Sequence, residues 1–215
     1  MGRNTVIPLV LVCVAGGIDL APVQEPRGTP LEFSCAAFPA PVTEMELIAR
    51  FGAERVVRDS IIGADDGPFP GTVVHPSSPE LTFQVSWSSA DPGEASWMRV
   101  RGRESAWVDA HGLRIGQSLQ SVEKANGGWP FRLRGFAGEG NRGGSVLSWG
   151  RGRFAGEEES GSCEERVRFQ PDWGDLPDAA REVVFRREVS SGHPAMQAVN
   201  PRIVEFWLIY PTDAR

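Results

Sequence analysis

Lysine is all but missing from this chain: Lys124 is the only one among 22 basic residues. The skew has the look of GC-rich bacterial coding and carries no functional weight. Arginine therefore supplies the positive charge, yet 28 acidic residues leave a net charge of −6, the opposite of a generic nucleic-acid binder. Cysteine is scarce too, at Cys13, Cys35 and Cys163, with no CxxC and no nearby Cys–His spacing to hold a metal. HExxH and GxSxG are absent, and His75, His111 and His193 each stand beside Pro or Gly, as turn or strand-end residues do. Asp65-Asp66-Gly67 lacks the alternating acids of a calcium loop and reads as a turn. No cofactor is implied. No apolar run approaches the ~20 residues of a spanning helix. With 40% hydrophobic and 23% charged residues, the composition is that of a folded globular chain.

What is present is clearest from His111 to Phe136. Leu113 and Ile115 lead in on alternate positions as a short strand, and Ser118 is placed to cap a helix. Leu119, Val122 and Ala125 recur at helical spacing, and Gly127-Gly128 supplies the stop. Phe131 and Leu133 then share one strand face, with Arg132 and Arg134 on the other.

At the amino terminus, Arg3, the apolar Thr5–Val14 and Ala15-Gly16-Gly17 have the layout of a secretory leader over 1–17. A lipid anchor at Cys13 or a buried first strand are the alternatives. Residues 18–34, with Pro22, Pro26 and Pro30, read as an extended linker. The expectation is a periplasmic or secreted protein, in which Cys35 and Cys163 pair as a disulfide or stay as two buried thiols.

The remainder divides into a unit at 35–110 and a second at 111–215, the latter with an inserted helical segment at 177–199. Thr43 and Glu46 have capping-box spacing, Val42 is set to staple onto Leu47, and Gly52 ends that helix. Strands follow at Arg55–Ile61, Gly71–His75, Leu81–Trp87 and Trp97–Arg103. Thr43 and Ser118 are 75 residues apart, as are Gly52 and Gly127, and Gly71–Val74 has a counterpart in Gly144–Leu147. Further strands are expected at Glu164–Gln170 and Pro201–Tyr210, with short helices at Asp178–Val183 and Ala195–Val199. Each half then holds a helix and about four strands, an internal repeat. The fold class is α+β, two helix-plus-antiparallel-meander units forming a curved sheet with helices on one face and a polar face left open. Ile203–Tyr210, apolar on both sides except Glu205, fits a central strand.

Three segments, residues 112–136, 143–149 and 190–211, together resemble a family of uncharacterised exported bacterial proteins, as does the ELIARFG helix. The half-unit is similar to repeats of β-lactamase inhibitor proteins and of small outer-membrane assembly lipoproteins. That second resemblance implies non-catalytic protein binding and assigns no binding residue. The loop at 137–142 departs from the aromatic–acidic turn that relatives would carry after Phe136.

Arg132, Arg134, Arg142, Arg151 and Arg153 fall close together, opposed only by Glu139, and form the candidate binding face. An acidic envelope polymer or another envelope protein is the matching partner. The same residues also read as one solvated face screened by Glu157–Glu159 and Glu164-Glu165. The leading function is a non-enzymatic binding protein of the bacterial envelope. A hydrolase with a carboxylate pair across the sheet and a structural envelope component are its rivals.

Overall fold

The computed structural model describes residues 31–63, 67–136, 143–156, 162–176 and 178–211. The expected leader, most of the linker, Asp65-Asp66 and Arg142 lie outside them. The first helix, α1 (Glu44–Phe51), begins with the capping box expected of it: Thr43 Oγ1 accepts from the Glu46 N–H, while the Glu46 carboxylate accepts from the Thr43 N–H. Gly52 ends it at φ +93°. Four antiparallel strands follow as a meander, β2 (Val56–Ile62), β3 (Pro68–Val74), β4 (Phe83–Trp87) and β5 (Ala95–Arg101).

In the second half α2 (Leu119–Ala125) is capped by Ser118, whose Oγ accepts from the Ser121 N–H, and Gly127 follows its end at φ +78°. Then come β7 (Arg132–Arg134), β8 (Val146–Ser148) and β9 (Glu164–Gln170), each antiparallel to the one before. The meander closes with β11 (Arg202–Ile209), after an insertion holding α3 (Asp178–Val184), β10 (Glu188–Ser190) and α4 (Pro194–Val199). The short strand expected at Leu113 and Ile115 is reduced to an isolated bridge, Val108 to Arg114.

The two helix-plus-meander units each carry a hydrogen bond just before the helix cap. The Val42 carbonyl accepts from the Ala95 N–H at 2.8 Å, and Gln117, 75 residues on from Val42, accepts from Ile203 at 2.9 Å. Each bond ties the residue before the helix cap to the last strand of the meander that follows it. Those last strands pair with each other, Glu205 opposite Arg101 and Ile209 opposite Trp97, and β11 pairs with β9 on its other side. The six-stranded order is β2-β3-β4-β5-β11-β9. The bridge from Ser145 to Arg168 and the bond from the Phe169 N–H to the Gly144 carbonyl (2.9 Å) join it to a three-stranded sheet, β10-β7-β8.

One core covers the inner face. Phe83, Val85, Met98, Val100, Phe206 and Leu208 point into it, and Leu47, Leu119, Val122, Val184 and Met196 come down from the helices. Residues 31–34 differ from the expected linker. Leu31–Glu32 (β1) pairs in parallel with Trp107–Val108 (β6), and Phe33 is 1% exposed among Phe38, Phe83 and Trp107. Burying that ring draws the segment into the fold despite its proline-rich approach. Cys35 and Cys163 are bonded across a separation of 128, their Cα atoms 5.6 Å apart. Among the described residues no helix is long and apolar enough to cross a membrane.

Candidate functional site

The structure places the described arginines singled out from the sequence on β7 and in the turns after β8. Arg132 and Arg134 alternate with the buried Leu133 on β7, but Arg132 is ion-paired with Glu188 of β10. Arg151 and Arg153 are exposed after β8, and the Arg153 N–H donates to the Asn126 carbonyl at the end of α2. None of these four lines a cavity described below. His75 packs edge-on against Phe51, and His193 caps α4 through Nδ1, so both are structural.

A different set of arginines gathers on the outer sheet face. Strand alternation turns Arg99 and Arg101 of β5 and Arg168 of β9 to that side, flanking Glu205 of β11. Glu205 Oε2 accepts from Arg168 Nε at 2.7 Å and from Trp207 Nε1 at 2.9 Å. Arg99 sits 3.7 Å from Glu205 Oε1, donates to Gln84 Oε1 and the Ile62 carbonyl, and lies 4.8 Å over the Trp207 ring. Arg99 is 1% and Glu205 5% exposed. This face is therefore not the uniformly open polar face expected from alternation. Its centre is closed by Trp97, Trp207 and the reach of Arg99 to the end of β2.

Around that closed centre lie two adjoining clefts. The smaller, about 390 Å³, is lined by Arg99, Arg101, Arg168, Gln84 and Glu205. The larger, about 750 Å³, takes in Arg103, Arg202, Asp172 and Trp173, and the two share Gly102, Gln170 and Val204. Arg101 and Arg103 are exposed and make no ion pair among the described residues, while Arg202 donates to the Gly116 carbonyl. Trp173, 43% exposed, stacks on Phe185 with ring planes 8° apart. A signal for this site was in the sequence: MRVRGR and ERVRFQ place arginine at every second position of two strands.

On the inner face a third cavity, about 250 Å³, opens between the halves. Asp109 lines it and is 5% exposed; its Oδ1 accepts from the His111 N–H at 3.0 Å and the Leu113 N–H at 2.7 Å, holding the turn that follows β6. Burial pushes its carboxyl up to about 6, opposed by the nearby His111 and helped by the charge of Glu165. Glu165 also lines the cavity, and its Oε1 accepts from the Cys35 N–H at 2.7 Å. The His111 ring stacks on Phe154 at 4.4 Å and meets Trp149 edge-on. No group of three or more metal-ligating side chains converges among the described residues.

Compared with known proteins, the chain matches no family model, no curated protein and no solved structure.

Proposed function

We propose that this is an exported, non-enzymatic binding protein of the bacterial envelope whose outer sheet face takes an acidic segment of another envelope protein. One observation carries the reading. In a chain of net charge −6, five arginines line two adjoining clefts in which Glu205 and Asp172 are the only acids among the described residues. Glu205 is spent on Arg168 and Arg99, which leaves the charge of Arg101 and Arg103 for a ligand. Exposed Trp173 beside them adds an apolar anchor, and Trp with Arg is the pairing that dominates interface energetics. The disulfide accords with export.

Titration with poly-L-glutamate at low and high salt tests the reading. Binding should be salt-sensitive, lost in Arg101→Glu/Arg103→Glu and kept in Arg132→Glu/Arg134→Glu. Unchanged affinity in the first double variant would overturn it, as would a preference for polyphosphate over polyglutamate. A second reading, a carboxylate hydrolase, is favoured by one fact, that Asp109 and Glu165 line a single cavity. Both carboxylates already hold backbone N–H groups, and the cavity is smaller than the ~300–1,000 Å³ usual for ligand sites. Turnover abolished by Asp109→Asn would establish that reading instead.

A further inference from the structure

Resting on the binding reading above, we infer that the acidic segment taken by the outer face carries a large aromatic side chain among its carboxylates, and that the larger cleft seats that ring. The two clefts are chemically unlike. The smaller is walled by arginines and the Glu205 carboxylate, a surface for charge. The larger has Ile115, Pro171, Trp173 and Val204 on its wall beside Arg103. Its one acid among the described residues, Asp172, accepts from the Gly174 N–H through Oδ1 at 3.1 Å. That bond caps the single turn Trp173–Asp175, which presents the indole.

Trp173 is held ready for a ligand. Phe185 stacks on it and is itself 42% exposed, while Phe136 meets it edge-on with centroids 6.1 Å apart. These contacts fix the indole in advance, so little side-chain freedom is lost on binding. Two adjoining large rings open to water are the kind of apolar surface that marks an interaction site.

The backbone beside Trp173 serves the same end. β11 carries an extra residue between Ile203, opposite Phe169, and Glu205, opposite Arg168. Ile203 is in the core and Glu205 is on the outer face, so this bulge turns Val204 and Glu205 out together. Val204 thereby puts an apolar side chain at the junction of the two clefts, where Gly102 adds no side chain of its own. One extended segment can therefore cross from the charged cleft to the apolar wall. At about 750 Å³ the larger cleft falls within the ~300–1,000 Å³ usual for ligand sites and has room for an indole or phenyl ring. A run of glutamates alone would leave Trp173 and Val204 in water.

Fluorescence anisotropy with labelled peptides of equal length provides the test. The probes are glutamates around a central tryptophan, glutamates around a central serine, and glutamines around a central tryptophan. The first should bind at least about tenfold tighter than the second, as a buried aromatic anchor does, and the third hardly at all. Trp173→Ala should bring the first peptide down to the affinity of the second and leave the second unchanged. Circular dichroism checks that the variant is folded; if it is not, the two acidic peptides on the wild type decide the matter alone. Equal, salt-sensitive binding of both acidic peptides would overturn the aromatic seat and leave the acidic-segment reading standing. Binding of neither acidic peptide would overturn both. A preference for the tryptophan peptide that persists in folded Trp173→Ala, or glutamine-peptide binding as tight as that of the first, would also overturn the inference.

Discussion

Arg168 donates to Glu205 at 2.7 Å across the β9–β11 pair, and the same carboxylate faces Arg99 from the opposite side. One buried anion thus serves two arginines from different halves. Glu205→Ala leaves Arg99 and Arg168 without their counter-charge inside the sheet and should cost about 3–5 kcal/mol in urea unfolding. Replacing the triad together by Arg99→Met, Arg168→Met and Glu205→Leu should recover most of that loss. A Glu205→Ala protein within 1 kcal/mol of wild type, about the worth of an exposed pair, would show that the triad is solvated.

The disulfide closes a loop across 128 positions, for which chain-entropy arguments give about 4–5 kcal/mol. Cys35→Ser should lower the urea midpoint strongly under oxidising conditions and hardly at all with reductant present. Equal midpoints for variant and wild type without reductant would remove the bond from the account of stability.

Gly144 sits at the seam of the two sheets at φ +78°, where an added Cβ would stand 2.1 Å from the Phe169 carbonyl oxygen. Gly112 has nearly the same φ, +76°, with nothing within 4 Å. Gly112→Ala should therefore cost only the left-handed strain of about 1–2 kcal/mol, and Gly144→Ala clearly more. Parallel thermal melts compare them, and similar losses would mean that the seam gives way.

Asp109 titrates near 6 in the folded chain and near 4 unfolded, so the folded state holds its proton more tightly. Its contribution to stability is greatest below about pH 4 and is lost as pH rises to about 6. Asp109→Asn should be more stable than wild type above pH 7, with the difference shrinking as pH falls to 4. A gap that widens on acidification would reverse the assigned direction.

Much of the architecture was legible because it rests on local chemistry. Thr43 with Glu46 and Ser118 with Gly127 mark helix ends through short-range bonds, and β9 and β11 advertise themselves by alternation and by apolar length. The short elements β1, β6 and β10 were not legible, since each is two or three residues long and exists only through a distant partner. The arginines of the outer clefts were missed for a related reason. Proximity in sequence grouped Arg132 with Arg153, whereas Arg99 and Arg168 become neighbours only once β11 lies between their strands. The acidic cavity is equally non-local, since Asp109 and Glu165 come from separate halves.

The position of β11 has a consequence for how this chain reaches its native state. The strand that joins β5 to β9 follows every other strand among the described residues, so its two neighbours must wait for it. Until residues 202–209 arrive, each of those strands presents an unsatisfied edge, the exposure that invites misassembly. Its contacts with β5 span more than a hundred residues, which makes closure slow and late.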